Sequence, residues 1–337
     1  MATLISSSDI DLTRALAALS AGECVGLPTE TVYGLAADAS NARAVAKIFA
    51  LKGRPADHPL IVHLAHADDA IGWAAHWSEA AQRLAQSFWP GPMTLIVRRA
   101  PHVLDAVTGG QETVGLRVPS HPIAHAVLSA FRGGDPIARG LAAPSANKFG
   151  HVSPTTAAHV VSEFIDEPLL VIDGGECEVG VESTIIDVSG KSPRVLRPGR
   201  VRTSELEAAL GRALAANEHH GSKPRVSGSL DSHYAPRKKT LMLSGDALEI
   251  FLAAARDAGK RVGLIHHTTH AAAQKAKRHI ALDGQASARY EHDIYRSLRD
   301  LDDDQKIDLI VVESPSTLPD WDAVNDRLRR ATHVGNG

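Results

Sequence analysis

Four short segments hold most of the side chains able to do chemistry: LPTETVYGL (27–35), KGRPADHPLIVH (52–63), AAPSAN (142–147) and GVESTIIDV (180–188). Each joins hydroxyls, amides, Arg or His to an apolar, strand-like run, which is how a pocket is assembled from strand ends and loops. Lys52 and Arg54 lie two apart on one short loop. Arg can fork onto a phosphate and Lys can approach it as a point charge, so the pair suits a triphosphate; the plain alternative is a solvated surface pair. Ser145 and Asn147, with Pro144 fixing their approach, can cradle a phosphate or a ribose, or can form an ordinary turn. Thr29, Glu30, Thr31 and Tyr33 share a predicted strand-to-helix connection, where the hydroxyls either grip a small polar substrate or cap the helix. Arg117 and Arg197 stand at strand ends near Pro and need an anionic partner, either a protein carboxylate or a ligand carboxylate or phosphate; their position leans towards a ligand. Ser183 either meets substrate or closes a hairpin.

Other signals fail on spacing. SGKS (189–192) resembles the end of a phosphate-binding loop, but the upstream Gly that such a loop needs falls at Ile185. There is no G-x-G-x-x-G fingerprint and no G-x-S-x-G elbow. HHTTH (266–270) is not accompanied by a zinc-binding pattern, so no metal site is expected.

These segments must be positioned by ordinary globular elements. The 337 residues are 44% hydrophobic and 22% charged, enough for about two domains. A net charge of −3 argues against bulk attraction to nucleic acid or anionic membrane. Cys24 and Cys177 are in no redox or metal spacing, which suits a reducing compartment. With no basic-then-apolar leader and no run of 18 apolar residues, a cytoplasmic protein without a membrane span is expected.

Helical spacing is read at 9–21, 40–51, 78–88 and 121–131, and strands at CVGLP, PLIVHLA, MTLIVRRA and TVGLRVP. A helix over 153–164 is predicted with Ser153 as N-cap and Pro154 in its first turn. LLVIDGG and STIIDVS read as a hairpin, and SELE (204–207) opens a helix with capping-box spacing. The polar stretch 217–229 is the best linker. Beyond HYAP (233–236), strands TLMLS, RVGLIHH, RHIAL and KIDLIVVES alternate with helical stretches at 246–258, 286–301 and 321–330. That βαβ rhythm implies a small parallel, Rossmann-like sheet. The expected division is 1–211, a linker and lid at 212–237, and a small α/β domain at 238–337.

As an ordered set over about residues 10–205, PTETVYGLAADA, KGRPADHPLIVHL, WPGPMTLIV, VGLRVPSHPIA, APSAN, GVESTIIDV and VLRPG resemble the YrdC-type threonylcarbamoyl-AMP synthase family. HYAP and the α/β unit after it resemble the long, two-domain members. The resemblance implies an α/β fold, a twisted mixed sheet with helices around an open cavity. It implies the reaction of ATP, L-threonine and bicarbonate to threonylcarbamoyl-AMP and pyrophosphate with Mg2+, for threonylcarbamoyladenosine in tRNA, through a separate downstream transferase. Carried over by motif, Thr31, His63, Arg117, Ala143 and Ser183 line the threonine site. Arg54, His58, Thr113, Ser145, Asn147, Ser153, Arg197 and Tyr234 line the ATP site, with Lys52 and Arg54 as the catalytic cations. His58 departs from the Asn common in the family, and VSGSLDSHYAP departs from the Pro-Gly-Met-x-Tyr pattern that often precedes HYAP.

Weak RNA binding is a second role, discriminated by whether RNA or ATP with threonine raises thermal stability more. A hydrogenase-maturation carbamoyl-transfer domain is a third reading, opposed by the lack of Cys-rich zinc segments. The C-terminal domain reads as a structural cap that positions the linker.

Overall fold

Alternation along Gly34–Asp38 sends Leu35 and Ala37 to one face of a sheet and Ala36 to the other, and all three are fully buried. Leu35 and Ala37 join a large apolar cluster with Ile48, Val62, Leu95 and Leu116, while Ala36 joins a second with Leu19, Leu27 and Leu128. A sheet covered on both faces explains why these strands read as continuous apolar runs. The computed structural model describes residues 1–133, 137–214, 224–228, 233–268 and 271–333.

The described residues divide between two compact units, the first within Met1–Phe149 and Pro154–Ser229, the second within Gly150–Ser153 and Leu230–Gly337. The first holds a ten-stranded twisted mixed sheet. Its strands are β1 (Thr3–Ile5), β2 (Val25–Leu27), β3 (Gly34–Asp38), β4 (Ile61–His63), β5 (Met93–Arg98), β6 (Thr113–Arg117), β7 (Leu141–Ala142), β8 (Leu170–Ile172), β9 (Thr184–Asp187) and β10 (Arg194–Arg197). Their order is β1-β8-β2-β3-β7-β4-β6-β5-β9-β10. The β1–β8, β2–β8, β4–β6 and β5–β9 pairs are parallel; the other neighbours are antiparallel.

Local signals hold where they are local. Helix Ala42–Lys52 starts at Asn41, whose side chain accepts from the Arg43 and Ala44 N–H groups, and stops at Gly53 in the left-handed conformation (φ 62°). That stop sets Lys52 on the last turn and Arg54 just past it.

Four expectations change. The segment 28–33 joins two antiparallel strands, β2 and β3, and not a strand to a helix. LLVIDGG and STIIDVS do not form a hairpin: β8 pairs with β1 and β2, and β9 with β5 and β10. Ser153 is not a cap; the helix is Ala157–Glu163, capped by the Thr156 side chain on the His159 N–H. The carbonyls of Pro154 and Thr155 are taken by the N–H groups of Tyr33 and Cys177, which holds that stretch extended. The 203–210 helix is closed by Glu205 accepting from the Arg202 N–H (2.8 Å), not by a Ser204–Glu207 box.

The second unit holds four parallel strands, β11 (Thr240–Leu243), β12 (Val262–His266), β13 (Arg278–Ala281) and β14 (Leu309–Glu313), in the order β11-β14-β12-β13. Helices Gly245–Asp257, Ser287–Asp303 and Asp322–Ala331 complete the predicted rhythm. Leu248, Leu252 and Ala255 recur on one buried face. Of the predicted linker, 217–223 and 229 lie outside the described residues, as do Thr269 and His270 of HHTTH.

Candidate functional site

Sheet register assembles the centre of the site. In the parallel β4–β6 pair, His63 stands directly beside Arg117, and the Ala143 N–H donates to the Ile61 carbonyl (3.0 Å). Thr29 Oγ1 accepts from the Thr31 and Val32 N–H groups and donates to the Val32 carbonyl (2.6 Å), folding 29–32 into a tight hydroxyl turn. Its proton thus spent, Thr29 Oγ1 accepts from Thr31 Oγ1 at 3.0 Å, and Thr31 Oγ1 accepts from Arg117 Nη1 at 2.8 Å. Arg117 Nε donates to the Gly91 carbonyl (3.3 Å), and Nη2 lies 2.7 Å from Glu30 Oε1. Both side chains of that ion pair are about 5% exposed or less. Arg117 thus has a protein carboxylate as its partner, the alternative towards which the sequence did not lean.

His63 is buried beside this cation. Burial, and then the Arg117 charge, lower its pKa to about 3, so the imidazole is neutral. With a carbonyl facing Nδ1 (Ile61 O, 3.3 Å), Nδ1 carries the proton and Nε2 is left as an acceptor. The unfolded chain would take up this proton near pH 6.5. The folded form is therefore favoured fully above pH 6.5 and loses stability as the pH falls towards 3, by about 2 kcal/mol at pH 5. His63→Gln should flatten that part of a urea-midpoint profile; an identical slope in the variant would show that His63 does not carry it.

A second group surrounds Arg54 and Arg197. Arg54 Nη2 donates to the Pro59 carbonyl (2.9 Å) and to Ser227 Oγ (3.3 Å). Arg197 places Nε and Nη2 on the Ser183 carbonyl (3.1 and 3.0 Å), Nη2 also on Ser183 Oγ (3.2 Å), and Nη1 on the Ser227 carbonyl (3.0 Å). Ser183 Oγ in turn meets Thr94 Oγ1 at 2.8 Å. His58 is half-buried, and burial followed by the Arg54 charge lowers its pKa. Lys52 is fully enclosed, and its pKa falls well below the ordinary lysine value through burial and then through Arg54. Its ammonium donates to the carbonyls of Ser145 and Asn147 (2.6 Å each). Lys52 therefore secures the 142–147 loop from beneath. The Asn147 side chain donates from Nδ2 to the Lys148 carbonyl (2.8 Å).

Sequence reasoning gave 212–237 as a linker and lid but did not foresee the contacts of 225–227. Val226 packs with Ile61, Ile96 and Ile185, and the surrounding hollow, which Thr113 helps to line, keeps only about 10 Å³. Arg225 anchors the segment through Asp57 (3.0 Å) and the Gly109 carbonyl (2.9 Å). The one apolar residue in a polar stretch, followed by Ser, was the available signal.

Ser153 and Tyr234 belong to the second unit. There, Ser153 offers its carbonyl to Arg299 Nε (3.3 Å). Tyr234 is buried at φ 61°, its ring 4.2 Å from that of His233 and 5.9 Å from that of Tyr295. A non-glycine residue in the left-handed region costs about 1–3 kcal/mol, which the packing around this ring must offset.

Comparison with known proteins agrees over nearly the whole chain. Residues 17–199 match the Sua5/YciO/YrdC family model, described as Telomere recombination, and 201–332 match the Threonylcarbamoyl-AMP synthase, C-terminal domain. Threonylcarbamoyl-AMP synthase of Pyrococcus abyssi is 35% identical over 320 residues, covering 92% of this chain and 91% of that protein. The Bacillus subtilis protein of the same name is 36% identical over 341 residues, covering 97% and 94%. The crystal structure of P. abyssi Sua5 complexed with L-threonine aligns with a TM-score of 0.87 at 33% identity, covering 98% of this chain and 97% of that one. The chain belongs to the Sua5/YciO/YrdC family, in the two-domain form that carries the threonylcarbamoyl-AMP synthase C-terminal domain.

Proposed function

We infer that this protein is an L-threonylcarbamoyladenylate synthase, which joins L-threonine, bicarbonate and ATP into threonylcarbamoyl-AMP and releases pyrophosphate. The observation that carries this is likeness over nine-tenths of the chain to relatives bearing that name. The site suits the chemistry. Threonine's carboxylate is assigned to Arg117, which has five N–H donors, gives one each to the Gly91 carbonyl and Thr31 Oγ1, and faces Glu30 in an ion pair, so N–H groups remain for a ligand. Thr31, neutral His63, Ala143 and Ser183 are assigned to the remainder of threonine. A small niche for the γ-methyl group separates threonine from serine by about 1–3 kcal/mol at most.

The amine attacks bicarbonate-derived carbon as the free base, and the resulting carbamate attacks the α-phosphate. Charge then grows on the phosphoryl oxygens and on departing pyrophosphate. Arg54 and Arg197 are assigned to that charge, with His58, Thr113, Ser145 and Asn147 on the nucleotide and Lys52 holding the loop. Mg2+ enters with ATP as part of that substrate. Among the described residues no group of three or more His, Cys, Asp or Glu is arranged to hold a metal, so phosphate oxygens and water would supply its ligands.

The product is a mixed anhydride that water destroys, so a separate transferase that passes the group to tRNA must consume it. A cover over the site, assigned to the segment around Val226, would slow this loss. Among the described residues no helix is long and apolar enough to cross a membrane. The test is pyrophosphate release by purified protein with ATP, Mg2+ and bicarbonate, with and without L-threonine. Release that needs both threonine and bicarbonate is expected; release indifferent to threonine would sink this reading.

A further inference from the structure

Glu30 is a buried carboxylate whose charge is only half answered. Its side chain is 4% exposed and Oε1 faces Arg117 Nη2 across an ion pair of 2.7 Å, yet among the described residues no hydrogen-bond donor reaches either carboxylate oxygen with good geometry, and Oε2 has no cation beside it. A buried carboxylate oxygen without a donor is costly, and each one in a native structure calls for an explanation, a catalytic or ligand-binding role among them. Its surroundings do not remove that cost. His121, which senses the Glu30 charge, is kept neutral by burial, accepts from the Ile123 N–H at Nδ1 and turns Nε2 to the Gly174 carbonyl. The Cys177 thiol beside it is pushed up by burial and then by Glu30, and so stays protonated. The turn that carries Glu30 is fixed at both ends, by the Thr29 hydroxyl and by Val179 N–H donating to the Glu30 carbonyl (2.7 Å), so the carboxylate cannot easily swing out to water.

The Arg117–Glu30 pair is a fixed cation and anion side by side. A free amino acid is the same arrangement reversed, an anion and a cation on neighbouring atoms. Binding a zwitterion keeps the buried charge balanced, whereas a carboxylate alone would leave one negative charge in excess.

We propose that Glu30 receives the α-ammonium group of the amino-acid substrate and takes the proton that must leave before nitrogen can attack. This deepens the synthase reading and rests on it. The N–H bond breaks, its electron pair stays on nitrogen, and the proton bonds to Oε2. The amine then reacts with bicarbonate (R–NH2 + HCO3− → R–NH–COO− + H2O), and Glu30 returns its proton to water when product leaves.

The test compares three ligands by titration calorimetry on the full-length protein: L-threonine, 3-hydroxybutyrate, which lacks the amine, and threoninol, which lacks the carboxylate. Glu30→Gln keeps the volume and can still meet Arg117. It should weaken threonine about 30-fold, as loss of a buried charged contact does, and leave 3-hydroxybutyrate as tight as before or tighter, since its carboxylate then balances Arg117 alone. Its pyrophosphate release should also rise with pH towards the range where the free amine exists in solution, where the wild type is flat. Equal loss for threonine and 3-hydroxybutyrate would show that Glu30 only orients Arg117 and would overturn the proposal, as would unchanged threonine affinity. Should Glu30→Gln fail to fold, Glu30→Asp takes its place. It should recover part of the preference for threonine over 3-hydroxybutyrate, and absence of any such preference overturns the assignment. Failure of the synthase reading is seen separately, as a wild type that neither binds threonine nor releases pyrophosphate.

Discussion

Arg54→Ala is expected to lower threonine-dependent pyrophosphate release by about 10²–10³-fold, the usual cost of one preorganised group aimed at developing charge. Two features suit it to this role. It stands just past the end of its helix at Gly53, and its Nη2 donates to the Pro59 carbonyl and to Ser227 Oγ, which fixes the direction of the fork. Its charge is felt by its neighbours, since both Lys52 and His58 are shifted down by it after burial. Lys52, by contrast, spends its ammonium on two loop carbonyls, so its loss should act through the position of Ser145 and Asn147. Arg54→Lys keeps the charge and loses the fork, and should fall between wild type and Arg54→Ala. Steady-state assays with ATP varied would decide it. A kcat/KM within threefold of wild type for Arg54→Ala would remove Arg54 from the phosphate site.

Much of this was legible because it is local. Asn41 and Gly53 bound a helix by their own side-chain and backbone preferences, and the βαβ rhythm after residue 238 survives as four parallel strands. What the sequence hid was pairing over distance. LLVIDGG and STIIDVS look like neighbours because only seven residues separate them, yet β8 is drawn to one end of the sheet by β1 and β2, and β9 to the other by β5. Ser153 and Thr156 are both competent caps. The choice fell to Thr156 because strangers in sequence, Tyr33 and Cys177, claim the carbonyls between them. The partner of Arg117 was hidden for the same reason. Glu30 is 87 positions away, and no periodicity links a turn between β2 and β3 to the end of β6. Val226 and Ser227 sit in a stretch whose composition says only that it is polar, and their contacts with Ile61, Arg54 and Arg197 depend on the folded sheet.

The same buried pair separates stability from function. Arg117→Met should destabilise the fold by about 3–5 kcal/mol, because it leaves Glu30 charged, dry and without its counterion. For a unit of this size that is a fall in melting temperature of roughly 10 °C. Removing both charges, in Glu30→Leu with Arg117→Met, should restore most of that loss, since well-packed apolar groups often replace a buried ion pair at no net cost. The recovery must be incomplete: Thr31 Oγ1 and the Gly91 carbonyl lose their Arg117 donors in either variant. Thermal unfolding of the two variants checks the first half, and threonine titration the second, where neither should bind. An Arg117→Met protein that melts with the wild type would mean the carboxylate finds another partner or water. A double variant as unstable as the single one would mean that the lost Thr31 and Gly91 contacts, and not the stranded charge, set the cost. A stable double variant without threonine affinity would show a chain keeping an expensive pair of charges in its interior for what they bind.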